Sequence, residues 1–220
     1  MDFEQQPFID ADFADNPEPR CPCVLLLDTS GSMSGAKIEQ LNRGLEIFAD
    51  ELRSDALAVR RVELAIVTFG PVSLARSFAT LDGRPLPRLD ARGNTPMGTA
   101  ILEALRLVEE RKRAYRRAGI AYYRPWIFMI TDGAPTDDVE WAASAIREGE
   151  ARNAFVFFAV GVDPADMDLL TRIAVRTPLR LRGLAFRELF QWLSASLASV
   201  SQSQIGTKVA LPPPSGWSEV

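Results

Sequence analysis

An aliphatic run that stops at an acid constrains this chain more than any other feature. Val24-Leu25-Leu26-Leu27 ends at Asp28, and Thr29-Ser30-Gly31-Ser32-Met33-Ser34 follows before a helical pattern begins. A run without polar alternation is a strand buried on both faces, the environment of a parallel sheet covered by helices. Side chains just past the carboxyl end of such a strand lie where open α/β sheets bind ligands. Asp28, Ser30 and Ser32 alternate, so their oxygens can converge on one point. Hard oxygen donors at this spacing suit Mg²⁺, Mn²⁺ or Ca²⁺ and not a soft metal.

Downstream, strand and helix patterns alternate. Ile38, Leu41, Leu45, Ile47, Phe48 and Leu52 recur at helical spacing, which predicts a helix from about Gly35 to Arg53. Val62 to Phe69 reads as a second strand closed by Gly70-Pro71, and Val72 to Phe78 as an antiparallel edge strand running back. Leu81 to Arg92 is loop. Gly93-Asn94-Thr95-Pro96 opens a helix through about Arg113, with Thr95 at the N-cap and Pro96 at the first helical position. Trp126 to Thr131 is a strand that stops at Asp132-Gly133. Thr136-Asp137-Asp138 is expected to cap a helix through about Arg152, with Asp137 and Asp138 either adding a negative rim near Asp132 or serving only that cap. Ala154 to Val162 is a further buried strand, with Phe155, Phe157 and Phe158 as core. Met167 to Ile173 is helical, Leu179 to Leu181 a short strand, and Phe186 to Val200 a last amphipathic helix. This alternation predicts an α/β fold: a doubly wound, mostly parallel sheet with one antiparallel edge strand and helices on both faces.

Three segments follow. Residues 1–19 form an acidic arm that either docks through Phe3, Phe8 and Phe13 or stays disordered. Residues 20–200 form the domain. Residues 201–220 form a polar, proline-bearing tail, read as a solvated end or a docking peptide.

Composition narrows the chemistry. The 220 residues contain no histidine, which excludes histidine-based nucleophilic catalysis, a His-ligated zinc site and histidine as general base. A formal charge of −4 argues against nucleic acid or an anionic membrane as partner. No stretch approaches the roughly 20 apolar residues that span a bilayer. Met1-Asp2-Phe3-Glu4 has no secretory-leader character, so a cytoplasmic location is expected. Cys21 and Cys23 can form a strained bridge, half of a shared metal site, or two small buried strand residues; two ligands alone cannot close a zinc site. The basic run Arg111-Lys112-Arg113 with Arg116 and Arg117 reads as a solvated helix end that complements the helix dipole, or as a patch for an acidic partner.

Oxygen ligands now stand in three loops: Asp28, Ser30 and Ser32; Thr95; and Asp132. Asp28-Thr29-Ser30-Gly31-Ser32 resembles the D-x-S-x-S motif of von Willebrand factor A (vWA) domains. The later threonine after glycine and the aspartate before glycine follow in the family's order, and the resemblance covers roughly residues 20–200. It implies a metal-ion-dependent adhesion site with Asp28, Ser30, Ser32, Thr95 and Asp132 as ligands, the hydroxyls bonding the metal and the aspartates binding directly or through water. Within the family, the whole chain is most similar to bacterial tellurite-resistance TerY-like proteins. That likeness implies a non-enzymatic interaction module in stress or tellurite-resistance signalling, with a serine/threonine kinase or a protein phosphatase as partner.

The charge balance gives the same expectation. Two carboxylates just offset a divalent ion, and the other ligands are neutral. Such an ion is weakly held and exchangeable, and it accepts a partner's Asp or Glu carboxylate. An alternative is an Mg²⁺-dependent phosphohydrolase with Asp28 as nucleophile, as in haloacid-dehalogenase-type phosphatases. Those need a second aspartate two positions on, where this chain has Ser30, which cannot shuttle a proton at neutral pH.

Overall fold

The computed structural model describes residue 13, residues 16–81 and residues 83–219. A seven-stranded sheet runs through the domain in the order β3-β2-β1-β4-β5-β6-β7. The strands are β1 (Cys21–Asp28), β2 (Val62–Phe69), β3 (Ser73–Thr80), β4 (Trp126–Thr131), β5 (Val156–Gly161), β6 (Leu179–Leu181) and β7 (Ser218–Glu219). The pairs β1–β2, β1–β4, β4–β5 and β5–β6 are parallel, whereas β3 and β7 run antiparallel at the two edges.

Periodicity explains the layering. Every residue of β1, β2 and β4 is buried, and alternate side chains feed opposite faces. Cys23, Leu25, Leu27, Leu64, Ile66, Phe128 and Ile130 join one core with α1 (Ala36–Ser54) and α6 (Phe186–Gln202). Val24, Leu26, Ala65, Val67, Ile127 and Met129 join a second core with α3 (Met97–Ala118), α4 (Glu140–Ala151) and α5 (Met167–Ile173). A short α2 (Ala58–Arg61), absent from the sequence reading, leads into β2.

The chain ends add features that periodicity does not carry. Phe13, from the acidic arm, is buried, its ring edge-on to Tyr115 and under the Arg111 guanidinium. Phe3 and Phe8 lie outside the described residues. At the other end, Trp217 is buried against Trp192, and its carbonyl accepts from the Arg182 amide at 2.7 Å. The segment after α6 thus returns to the sheet and supplies β7, a second antiparallel edge beside the one predicted.

Arg113, Arg116 and Arg117 of the basic run are exposed, as a solvated helix end requires, but Arg111 departs from that reading. Arg111 turns inward, and its Nε donates to buried Glu63 at 2.6 Å, while Arg20 Nε and Tyr115 OH donate to the same carboxylate at 2.9 and 2.5 Å. Lys112 and Arg116 pair with Glu109. An acid at the start of a fully buried strand needs counter-charges, and the helix end supplies one. Cys21 and Cys23 are buried, unbridged and on the same core face. Burial pushes the Cys21 thiol up to about 12 and raises that of Cys23 as well, the neighbouring cysteine adding to it, so neither is a reactive thiolate.

Candidate metal centre

The sheet order reverses between β1 and β4: from β1 the chain moves outward to β2 and β3, and from β4 the other way. The carboxyl ends of β1 and β4 therefore flank the switch point, where open α/β sheets leave a crevice. Asp28 is the last residue of β1, and Asp132 follows the last residue of β4.

The five predicted residues meet there. Asp28 is fully buried and Asp132 nearly so, at 0% and 2% exposure. Ser32 Oγ donates to Asp132 Oδ1 at 2.6 Å and lies 3.0 Å from Ser30 Oγ. Thr95 is placed by Gly133. The position a Cβ would take on that glycine lies 3.3 Å from Thr95 Oγ1, 3.6 Å from Ser32 Oγ and 3.7 Å from Asp28 Oδ2. Oxygens from three loops thus surround one small space that is kept open by the absence of a side chain. Among the described residues no cluster of three His, Cys, Asp or Glu side chains occurs, so this set is two carboxylates with hydroxyls.

Backbone bonds hold the loops together. The Arg92 amide donates to the Thr29 carbonyl at 2.7 Å, and the Gly31 amide to the Gly93 carbonyl at 3.0 Å. The Thr95 carbonyl accepts from the Thr136 amide at 2.9 Å, which ties the second loop to the third. Asn42, buried on α1, pins the long loop before Thr95 through two bonds with the Leu89 backbone, at 2.9 and 2.8 Å. Gly70, at φ +147°, passes so close to Thr29 that a Cβ would sit 2.5 Å from its carbonyl carbon. Only glycine allows that approach.

Two capping expectations need correction. Thr95 does not cap α3: the N-cap position is Pro96, no side chain there bonds the helix, and the first helical residue is Met97. Asp137 does that work from outside the helix. Its carboxylate accepts from the Gly98 amide at 2.9 Å and from the Thr99 amide and hydroxyl at 2.7 Å. Partial burial raises the Asp137 carboxyl, but these bonds from Thr99 and Gly98 outweigh it and hold the group below its ordinary value. The Asp137 part of the predicted α4 cap therefore belongs to α3, and it leaves the Thr95 hydroxyl free of capping duty. Asp138 remains local, accepting from the Glu140 amide at 2.9 Å.

Two further residues touch the acids. Thr131 Oγ1 donates to Asp28 Oδ2 at 2.6 Å, while the Ser30 amide donates to Asp28 Oδ1 at 2.8 Å. Lys37, in the first turn of α1, donates from Nζ to Asp132 Oδ2. Thr131 carried a signal, being a polar residue inside an apolar strand directly before Asp132. Lys37 carried only a weak one, a cation in the first turn of a helix, where acids are favoured.

Burial is the main influence on Asp28 and raises its carboxyl above the ordinary aspartate value. Hydrogen bonds from Ser30 and Thr131 oppose that rise, and the negative charge of Asp132 adds to it. Among the described residues no cationic side chain pairs with Asp28. A buried carboxylate with neutral donors only is costly, and such groups gather at functional sites.

These features define an open α/β domain with an acid-and-hydroxyl cluster over the crevice of its sheet. The chain belongs to the von Willebrand factor type A domain family, whose model matches residues 23–186. Domains of this family are generally protein–protein interaction modules and generally non-enzymatic. A similar curated protein is the human inter-alpha-trypsin inhibitor heavy chain H6, 26% identical over 188 residues. That match spans 79% of this chain but 13% of the relative. Solved structures of similar fold include the pilus adhesin SpaC from Lactobacillus rhamnosus GG, with a TM-score of 0.66, 12% identity, and coverage of 84% of this chain and 31% of that one. Proximal thread matrix protein 1 from the mussel byssus aligns with a TM-score of 0.57 and 15% identity over 83% of this chain and 49% of its own. The ArnB paralog VWA2 from Sulfolobus acidocaldarius gives 0.52 and 14% over 82% and 45%. At these identities the likeness concerns the fold. No helix among the described residues is long and apolar enough to cross a membrane.

Proposed function

We propose that Asp28, Ser30, Ser32, Thr95 and Asp132 hold a divalent cation, Mg²⁺ in the first place and Mn²⁺ or Ca²⁺ as alternatives, and that the loaded centre captures an Asp or Glu carboxylate of a protein partner. The observation that carries this reading is Asp28: wholly buried, raised by that burial, held by neutral donors from Ser30 and Thr131, and paired with no cationic side chain among the described residues. A charge held in such a place is stabilised by a cation.

The donor set fits a hard ion. Two carboxylates and three hydroxyls are all oxygen, and their summed charge just offsets that of one divalent cation. When bound, the ion supplies a Lewis-acidic point that accepts one more anionic oxygen. The chain's own residues do the rest. Thr131 and the Ser30 amide fix the Asp28 carboxylate, and Ser32 fixes that of Asp132. Gly133 keeps the space open, and Asp137 occupies the α3 amides so that Thr95 serves the cluster.

An Asp28 phosphohydrolase is disfavoured. Both oxygens of Asp28 are engaged in hydrogen bonds, the residue has no solvent exposure, and Ser30 stands where a catalytic acid would be needed. The TerY-like placement, with a cytoplasmic location, a part in tellurite-resistance or stress signalling and a kinase or phosphatase partner, rests on the sequence resemblance alone. Isothermal titration tests the centre: Mg²⁺ or Mn²⁺ should bind the wild-type chain at one site and fail to bind Asp28→Ala. A wild-type chain that binds neither ion would refute the reading.

A further inference from the structure

Lys37 is the one cationic side chain, among the described residues, that bonds an acid of this cluster. Its position runs against local preference. It is the second residue of α1 (Ala36–Ser54), where the positive end of the helix dipole favours acids and disfavours cations. Its partner explains the placement. The side chain of Asp132 is fully enclosed, whereas that of Lys37 keeps 23% exposure, so the ammonium reaches in from solvent. Asp132 divides its oxygens between Ser32 on Oδ1 and Lys37 on Oδ2.

We propose that Lys37 is the built-in counter-cation of this centre, holding the Asp132 carboxylate until a divalent ion displaces it and then standing free at the rim. The proposal rests on the metal-binding reading above and adds a regulator of loading to it. Charge and reach both support it. Without Lys37, the enclosed Asp132 carboxylate would have no cationic partner among the described residues, with Asp28 close by across the crevice. With Lys37 the pair carries one net negative charge, enough to keep the cluster assembled. A divalent ion offers more charge to the same oxygens but must repel an ammonium already there, so loading is an exchange and its threshold is set by the lysine. The flexible four-carbon stem lets the ammonium withdraw into water with no change in the helix. Once loaded, two aspartates, one divalent ion and a nearby ammonium sum to one positive charge, which favours an arriving anion.

The test compares wild type, Lys37→Met and Asp28→Ala with Mg²⁺ alone as ligand, by isothermal titration at low ionic strength. Lys37→Met should bind Mg²⁺ about tenfold more tightly than wild type, the order of a unit-charge effect on a divalent ion across several ångströms of water-like dielectric. Equal or weaker binding in Lys37→Met, with wild type still binding and Asp28→Ala not, would overturn the role of Lys37 and leave the metal centre standing. Absence of binding in both wild type and Lys37→Met would overturn the metal reading and this proposal together. A second readout avoids substitution at Lys37. Acetylation of its amine by an N-hydroxysuccinimide ester, followed by mass spectrometry, should rise several-fold on adding Mg²⁺ to wild type and stay flat in Asp28→Ala. Unchanged labelling in wild type at saturating Mg²⁺ would show that the ammonium is not displaced.

Discussion

Replacing Asp28 by asparagine should have opposite effects on stability with and without metal. The carboxylate is fully buried, accepts 2.8 Å and 2.6 Å hydrogen bonds from the Ser30 amide and the Thr131 hydroxyl, and has no paired cation among the described residues. Asparagine is nearly isosteric. Its amide oxygen keeps the bond from Ser30, and the Thr131 hydroxyl can rotate to accept from the new NH₂. Little hydrogen bonding is lost while the desolvated charge disappears, so in EDTA the variant should be about 1–2 kcal/mol more stable, the usual scale for relieving an uncompensated buried group. For a domain of this size that is roughly a 2–8 °C rise in Tm. Adding Mg²⁺ reverses the order. Wild type gains about 2.7 kcal/mol at one hundred times its Kd, and the variant gains nothing.

The pH dependence carries the same signature. A carboxyl raised in the folded state binds protons more tightly there than in the unfolded chain. Stability therefore falls as pH rises from the ordinary aspartate value of 3.8 through the raised folded value. Acidifying metal-free wild type through that window should recover stability from Asp28, and Asp28→Asn should lack this contribution. Urea denaturation followed by circular dichroism, with EDTA or Mg²⁺ and across pH 4 to 7, measures all of this. A variant less stable than wild type in EDTA would refute the claim that burial of Asp28 costs the fold anything.

Two other substitutions separate the site from the scaffold. Gly133→Ala should weaken Mg²⁺ binding at least tenfold with under about 1 kcal/mol lost in stability, because the new methyl would sit 3.3 Å from Thr95 Oγ1 and enter the space between the ligands; titration calorimetry beside a thermal melt checks it. Glu63→Ala should destabilise by about 3–5 kcal/mol in urea denaturation with Mg²⁺ affinity unchanged, since it strands Arg20, which is 1% exposed, beside Arg111 at the opposite end of the sheet from Asp28.

Local pattern settled the long elements of this protein, though not the short α2 or the edge strand β7. The aliphatic run before Asp28, the similar run before Asp132 and the helical spacing from Ile38 to Leu52 each follow from which faces a segment must bury, and burial is written in neighbouring residues. The order of acid and hydroxyl positions, through its resemblance to the vWA motif, also named the five candidate ligands, and the two aspartates among them lie at the carboxyl ends of neighbouring parallel strands. What no segment could reveal was which distant group would meet which. Ser32 bonds Asp132 one hundred residues away, Lys37 reaches the same acid across 95, and Asp137 caps a helix that begins 40 residues before it instead of the helix that follows. Arg111 read as a solvated helix end or a patch for an acidic partner until β2 brought Glu63 beneath it, and the proline-bearing tail read as a solvated end or a docking peptide until Trp217 met Trp192. Periodicity records how a residue relates to its own helix or strand, whereas ion pairs, borrowed caps and edge strands depend on how those elements stack, and only the folded sheet brings them within bonding distance.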